Sequence, residues 1–257
     1  MDFALNEIQL ELKQQARAWL AERYPLDRDW DAKQDDRWSE LQELGWLDVA
    51  EADLGFVEEA LLLEEMGYAL YPGPYLAHVT GQTDVFGEGG TIATVDASRP
   101  LRRLPTPAEE SPRLRAAMAA EAVGIAQRVL ELGIQHATTR QQFGKPIGTY
   151  QAVSHQLADT YTDVELARSL AYWAAWCVAE EDEQAPVAAA AAKAFAVEAA
   201  VAACERSIQV HGGTGFTWEH PLHRFYKRAL WLAGFGSSPS QLRREVADAV
   251  LGAKVTA

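Results

Sequence analysis

A chain of 257 residues with 48% hydrophobic content is long enough to bury a real core, as one large domain or two small ones of roughly 100–200 residues each. Its formal net charge of −14 argues against a nucleic-acid binder, which needs a basic face for phosphates, yet leaves room for a local basic site toward a phosphorylated cofactor. No apolar run approaches the ~18–20 residues that span a bilayer, Met1-Asp2-Phe3-Ala4 lacks the regions of a signal peptide, and Cys177 and Cys204 have neither metal-ligand nor disulfide spacing, so the expectation is a cytoplasmic chain with two reduced, buried thiols and no membrane partner.

Taken in chain order, Ile8, Leu12, Ala16, Trp19 and Leu20 recur at three- and four-residue steps and share one face of a first helix. Trp38, Leu41 and Leu44 repeat the pattern, with Gly45 as its C-cap. A third helix is predicted over 56–70, with Leu61, Leu62, Glu64 and Glu65 inside it. Tyr71-Pro72-Gly73-Pro74 stops it, because proline cannot continue a helix. This gives an N-terminal helical domain over 1–80. Residues 81–110 differ: Gly87, Gly89, Gly90, Pro100, Pro105 and Pro107 interrupt regular structure, and only 91–95 reads as a strand. One strand makes no stable sheet, so the segment reads as a reduced linker with at most a small hairpin.

Helices return over 111–257. Ser111 is placed to cap a helix with Pro112 at its first position, running through Leu114, Met118, Ile125, Val129 and Leu132 to about Thr139. Another begins near Tyr150, where Val153, Leu157, Tyr161, Val164, Ala171, Ala175 and Val178 keep the near-heptad spacing of antiparallel bundle packing. A solvated acidic turn over 180–184 leads to an alanine-rich helix from Pro186 to about Val210. Ser238-Pro239-Ser240-Gln241 is a capping box for a last helix ending at Gly252.

Two strings carry chemistry. In Arg140-Gln141-Gln142-Phe143-Gly144, the arginine can fork two hydrogen bonds to a phosphate, Gln142 offers an amide, and Phe143 offers an aromatic face. The same residues also fit a plain helix C-terminus, with a cation at the dipole and a buried Phe. In Gln209-Val210-His211-Gly212-Gly213-Thr214-Gly215-Phe216, Gly212 and Gly213 let a ligand approach the main chain, and Gln209 sits one turn before them. No strand precedes this string, so it is no Rossmann fingerprint, and an ordinary helix C-cap also fits it.

Together these strings resemble those of the acyl-CoA dehydrogenase family. The resemblance runs through Ala122-Val123-Gly124-Ile125-Ala126-Gln127, then Arg140-Gln141-Gln142-Phe143-Gly144-Lys145-Pro146-Ile147 and Gln151-Ala152-Val153. It resumes at Val164-Glu165-Leu166-Ala167-Arg168, at Ala192-Lys193-Ala194-Phe195 and at 209–216, and residues 38–47 are similar to the family's N-terminal helical domain. It implies a mainly α fold, an N-terminal helical domain plus a C-terminal four-helix bundle, here with the middle β-domain largely missing. It implies FAD as cofactor and an acyl-CoA as substrate. It also implies that a cofactor's diphosphate and adenosine reach across to a neighbouring subunit, onto Arg140, Gln142, Phe143, Gln209, Gly212 and Gly213.

The chain departs from the family in two ways. Where the family has a sheet domain that walls the flavin ring, this chain has only 81–110. The glutamate that takes the substrate α-proton is also missing. The family places it just before the last helix, where this chain reads Leu232-Ala233-Gly234-Phe235-Gly236-Ser237-Ser238, or on the first bundle helix, near Leu114. No catalytic residue is therefore assigned. Glu121, which replaces a small residue of the family pattern, is the one candidate for a relocated base. These losses resemble the base-less subunit of heteromeric α2β2 acyl-CoA dehydrogenases of actinobacterial sterol side-chain degradation. The implied partner is a second acyl-CoA dehydrogenase-like subunit. A self-sufficient dehydrogenase with a moved base and a flavin-free scaffold of the same fold stay open beside it.

His211, His220 and His223 lie close in sequence, but the intervening glycines and Pro221 do not set two ligands on one face. Trp173, Trp176, Trp218 and Trp231 read as core or interface anchors, Trp218 being placed best for a subunit contact. Arg115 reads as a solvated surface residue at the family's active-site edge.

Overall fold

The N-terminal helices form where an apolar face meets a capping side chain, in a computed structural model that describes residues 4–30, 35–52, 54–83, 85, 92–102 and 110–255. Helix α1 (Glu7–Arg23) opens on a capping box: the Asn6 side chain accepts the Gln9 N–H at 2.9 Å, and the Gln9 side chain accepts the Asn6 N–H at 3.1 Å. Ala16 and Leu20 are buried on its inner face, whereas Ile8, predicted to share that face, is exposed. Helix α2 (Trp38–Glu43) ends as predicted near Gly45, whose N–H reaches the Gln42 carbonyl while the Trp46 N–H reaches that of Leu41. Helix α3 (Phe56–Ala69) follows, with Leu70 in the left-handed region beyond it.

A short helix, α4 (Tyr75–Thr80), then forms directly after Pro74, where the sequence suggests only a stop. The physical reason is that proline ends a helix but also tolerates a helix start, where its missing N–H has no partner to lose. The strand predicted over 91–95 reduces, among the described residues, to one bridge in which Ile92 and Leu101 exchange hydrogen bonds of 3.0 and 3.1 Å. Thr91, Gly87, Gly89, Gly90, Pro105 and Pro107 lie outside the described residues.

The remaining helices are α5 (Pro112–Thr139), α6 (Gln151–Ala179), α7 (Ala185–His211), α8 (Leu222–Gly234) and α9 (Pro239–Val255). Ser111 caps α5 as expected, accepting the Leu114 N–H at 3.2 Å. Ser238 and Gln241 form the predicted box before α9, which extends to Val255 rather than stopping at Gly252. Helix α8 has no counterpart in the sequence reading.

Helix α7 is the centre of the bundle, packed against α5, α6, α8 and α9. Its Ala188, Ala189, Ala192, Ala196 and Ala200 have no exposed surface, so the small side chains set the close approach of its neighbours. The stretch Ala185–Phe216 is long and apolar enough to cross a membrane, which corrects the expectation that no such run exists; 67% of its apolar window is buried inside the protein. On α6 the heptad face holds at Val164, Ala171 and Ala175, but Tyr161 is exposed. Cys177 and Cys204 are buried free thiols.

Helices α3 and α5 touch backbone to backbone. A Cβ on Gly67 would lie 2.1 Å from the Glu121 carbonyl oxygen, and one on Gly124 would lie 1.8 Å from that of Glu64. One hydrophobic core consequently runs through the N-terminal helices and the bundle. Buried charge crosses the same junction: Glu64, 1% exposed, takes Lys13 Nζ at 2.9 Å, Arg168 Nε at 3.1 Å and the Tyr172 hydroxyl at 2.6 Å. Burial opposes its ionisation, but Lys13 and Arg168 outweigh it and hold the carboxyl below its usual range.

Candidate functional site

The string that starts at Arg140 folds into a two-residue hairpin. Gln141–Gln142 (β1) pairs antiparallel with Lys145–Pro146 (β2), and Phe143 and Gly144 take φ of +52° and +79° in the turn. Two positive φ values in succession are those of a type I′ turn, whose twist suits a hairpin. Phe143 is thereby thrown outward and is 91% exposed, which overturns the buried-Phe alternative. Arg140 caps α5 through its backbone, its N–H donating to the His136 carbonyl at 2.8 Å. Its exposed guanidinium has no hydrogen bond or ion pair among the described residues. Gln142 is also exposed, and its carbonyl accepts the Tyr150 hydroxyl at 3.2 Å.

The second string ends α7. Gly212 closes the helix at φ +61°, and the chain turns through a 3-10 segment, Gly212–Phe216. Open space surrounds Gly212 and Gly213: a Cβ on either would meet nothing within 4 Å. Gln209 and Gly213 are exposed, as are Phe216 at 74% and Trp218 at 73%. Side chains join the helices that carry the two strings: the ring of His136, one turn before Arg140, stacks on His211 with centroids 4.3 Å apart, and His220 lies 4.5 Å from His211 on centroids. The C-terminal ends of α5 and α7 therefore sit together, and one surface carries an unpaired arginine, an outward Phe and an unobstructed glycine turn.

These histidines are packed rather than poised as ligands, and His211 Nδ1–H donates to the Ser207 carbonyl at 2.8 Å. Burial and the neighbouring His211 and His136 push His220 down to about 4, and burial, with His211 and Arg140, lowers His136 as well. At neutral pH the cluster is uncharged, so Arg140 supplies the cationic character of this corner.

None of the three positions considered for a base presents a free carboxylate among the described residues. Leu114 has no exposed surface. Beside Gly236 lies the carboxylate of Glu110, contributed from the start of α5 and ion-paired with Lys193, which is itself fully buried. The Ser237 N–H donates to Glu110 at 3.0 Å, and Arg115 Nε lies 3.5 Å away. Burial opposes ionisation of Glu110, but the Lys193 ammonium outweighs it and holds the carboxyl below its usual range. Arg115 is 13% exposed and bridges Glu110 to Glu245, which corrects the reading of it as a solvated surface residue.

Glu121, 1% exposed, accepts Arg99 Nη2 and Arg228 Nη1, each at 2.7 Å, through the same oxygen. Arg228 also pairs with Asp96 and donates to Ser98 Oγ at 2.7 Å, and Arg99 lies against the Trp231 ring. A base must reach the proton that it takes. Glu110 and Glu121 instead sit in ion pairs, with burial and arginine charge deciding their surroundings. Sequence reading missed Glu110, Lys193, Asp96, Arg99 and Arg228 as site residues; Lys193 and Arg228 show only as charge inside helices, and Asp96, Arg99 and Glu110 lie in irregular segments with no signal of their own.

An open surface with a free cation, an aromatic face and bare glycine backbone fits one end of a phosphate-bearing nucleotide cofactor. Comparison with known proteins bears on the family of the chain. Residues 112–251 match the family model described as "Acyl-CoA dehydrogenase, C-terminal domain". The chain is 36% identical over 167 residues to acyl-CoA dehydrogenase IpdE2 of Mycobacterium tuberculosis, covering 62% of this chain and 51% of that one. It is 43% identical over 132 residues to acyl-CoA dehydrogenase FadE34 of the same organism, covering 51% and 19%. The chain thus spans about half the length, or less, of these curated relatives. Among solved structures, a variant of the Tcur3481–Tcur3483 steroid ACAD superposes with a TM-score of 0.79 at 22% identity, over 97% of this chain and 99% of that one. The ChsE4–ChsE5 complex from Mycobacterium tuberculosis does so with 0.76 at 21%, over 97% and 99%. At these identities the superpositions establish the fold, and the family match over the bundle establishes the lineage: the chain belongs to the acyl-CoA dehydrogenase family.

Proposed function

We propose that this chain is the base-less subunit of a flavin-dependent, heteromeric acyl-CoA dehydrogenase. A second acyl-CoA dehydrogenase-like chain holds the flavin ring and supplies the glutamate. This chain completes the site from outside, with Arg140 on the FAD diphosphate, Phe143 and Gln142 beside the adenosine, and Gln209, Gly212 and Gly213 giving main-chain and amide contacts. The observation that carries the reading is the combination of an unpaired Arg140 and a 91% exposed Phe143 on an open surface with no free carboxylate at the three base positions.

When bound, FAD supplies the acceptor for the hydride that leaves the substrate β-carbon. The proton lost from the α-carbon must go to a base, and Glu110 and Glu121 of this chain are committed to Lys193 and to Arg99 and Arg228. The proton transfer is therefore assigned to the partner, and this chain's residues bind and orient. An acyl-CoA with a bulky, sterol-derived acyl group is the substrate class that the family resemblance implies. The assembly is proposed as α2β2, with exposed Trp218 and Phe216 at the contact between unlike chains. The cytoplasm, where thiols such as Cys177 and Cys204 stay reduced, is the proposed compartment.

Purification alone and with the product of a neighbouring gene tests this. A flavin-free chain that becomes part of a yellow, active complex is the expected result; an active, fully flavinylated homo-oligomer would sink it.

A further inference from the structure

Behind the two strings stands a row of three histidine rings, His136, His211 and His220, which have no part in the proposed cofactor contacts. His211 is the middle ring: His136 stacks on it with centroids 4.3 Å apart and planes 27° from parallel, and His220 lies against it at 4.5 Å and 58°. The three come from separate places: the last turn of α5, the last residue of α7 and the segment that follows the 3-10 turn. Burial holds each below its ordinary pKa, so at neutral pH they meet as aromatic faces rather than as cations.

Backbone ties each ring to one part of the cofactor surface. The Arg140 N–H donates to the His136 carbonyl at 2.8 Å, and the Ile147 N–H donates to the Arg140 carbonyl at 2.9 Å, so the hairpin hangs from the turn that carries His136. The Thr214 hydroxyl donates to the His211 carbonyl at 2.9 Å. The glycine turn folds closely over α7: a Cβ on Gly215 would lie 2.6 Å from the Ile208 carbonyl oxygen and 3.0 Å from the His211 Cβ. His211 and His220 flank that turn in the chain, and their contact closes it. The outer two contacts are steadied by local hydrogen bonds: His211 Nδ1–H donates to the Ser207 carbonyl at 2.8 Å, and the Leu222 N–H donates to His220 Nδ1 at 3.3 Å. One turn deeper, a Cβ on Gly133 would lie 3.3 Å from Ser207 Oγ, so the missing side chain there lets α5 and α7 approach closely enough for the rings to meet.

We propose that this histidine row positions the two halves of the cofactor surface: His136, stacked on His211, sets the spacing between Arg140 and the Gly212–Gly213 backbone so that both meet one dinucleotide. The inference rests on the proposed flavin site and adds to it a positioning residue, His136, that acts through Arg140 and the glycine turn. Main-chain groups on the turn have no reach of their own, so the arginine must be held at a distance that matches them. Stacked rings hold it there with few rotatable bonds, which leaves little side-chain freedom to be lost when the ligand arrives.

The test is the FAD affinity of the purified complex, read by flavin fluorescence in equilibrium dialysis, for Arg140→Ala, His136→Ala, the two combined, and His136→Phe. His136→Ala should weaken the hold on FAD on the order of 3–10-fold, the effect of one lost ring contact. In the Arg140→Ala background the same change should cost less than about twofold, because no arginine is left to place. His136→Phe keeps a ring on His211 and should hold FAD within about twofold of the parent complex. Size-exclusion chromatography checks assembly, and His136→Gln decides in place of His136→Ala if the alanine variant does not assemble. Equal weakening with and without Arg140, no weakening with Arg140 present, or a loss in His136→Phe as large as in His136→Ala would each overturn the inference. A loss with Arg140→Ala and none with His136→Ala sinks the inference alone; no loss with Arg140→Ala sinks the flavin site and the inference together.

Discussion

The carboxylate of Glu110 lies against Gly236, so closely that a Cβ at position 236 would come within 2.8 Å of its Cδ and 2.9 Å of its Oε1. Gly236 also sits at φ +67°, where any other L-residue is strained by about 1–2 kcal/mol. Position 236 lies in the stretch where the family resemblance places the catalytic glutamate, and a carboxylate from elsewhere in the chain now occupies that neighbourhood. A glutamate returned there would meet both a like charge and a left-handed backbone. We expect Gly236→Glu to lower the urea midpoint and to give the isolated chain no acyl-CoA turnover with added FAD. Turnover by that variant alone would contradict the assignment.

Lys193 neutralises Glu110 from a fully buried position, and its Nζ also donates to the Phe235 carbonyl at 2.6 Å. Removing one partner of a buried pair strands the other, at a cost of roughly 3–5 kcal/mol. Lys193→Ala should lose stability on that scale in urea denaturation. The double variant Glu110→Gln with Lys193→Met should lose much less, because no charge is left unpaired.

Glu121 gives the same argument a kinetic edge. With Arg99 and Arg228 on its Oε1, its role is to neutralise buried arginines. Glu121→Gln should therefore lower the melting temperature of the complex while turnover per bound flavin stays within about twofold. A base would behave otherwise: a loss of ~10²–10⁴-fold in turnover with stability intact would mark Glu121 as the proton acceptor.

The histidine cluster predicts a pH dependence. His220 is pushed down to about 4 in the folded chain, against an unfolded value of about 6.5. Between those values the unfolded chain binds more protons, so stability falls as pH drops from about 6.5 to about 4 and this contribution then levels off. Buried carboxylates held below their usual range, such as Asp96 and Glu110, add their own loss of stability as pH falls below about 5, from their unfolded values toward their lower folded ones. Thermal melts across pH 4–7 should show the His220 contribution as a slope that His220→Gln reduces.

What was legible in the sequence was local. Ser111 with Pro112, and Ser238 with Gln241, mark helix starts within four residues, and the structure shows the caps. The two motif strings are contiguous, so their residue types could be read before their positions were known. The folded chain adds that His136 on His211 brings the helix ends beside the two strings together, a contact that no spacing rule announces. The ion pairs were illegible for the same reason. Arg228 reaches back to Asp96 and Glu121, and Lys193 to Glu110, across separations where only tertiary packing chooses partners. Helix α4 was hidden because proline marks both a stop and a start, and Phe143 because a type I′ turn can turn an aromatic side chain outward.

The central claim is that this chain lends part of a flavin site to a partner, and the flavin affinity of the complex carrying Arg140→Ala tests it most directly. Charge-assisted hydrogen bonds contribute about 1.5–3 kcal/mol, which corresponds to roughly a 10–100-fold weaker hold on FAD. The account predicts an assembled complex that loses flavin to this extent during dialysis, with occupancy restored by excess FAD. Unchanged flavin affinity in the assembled Arg140→Ala complex would contradict it and favour a scaffold that binds no cofactor.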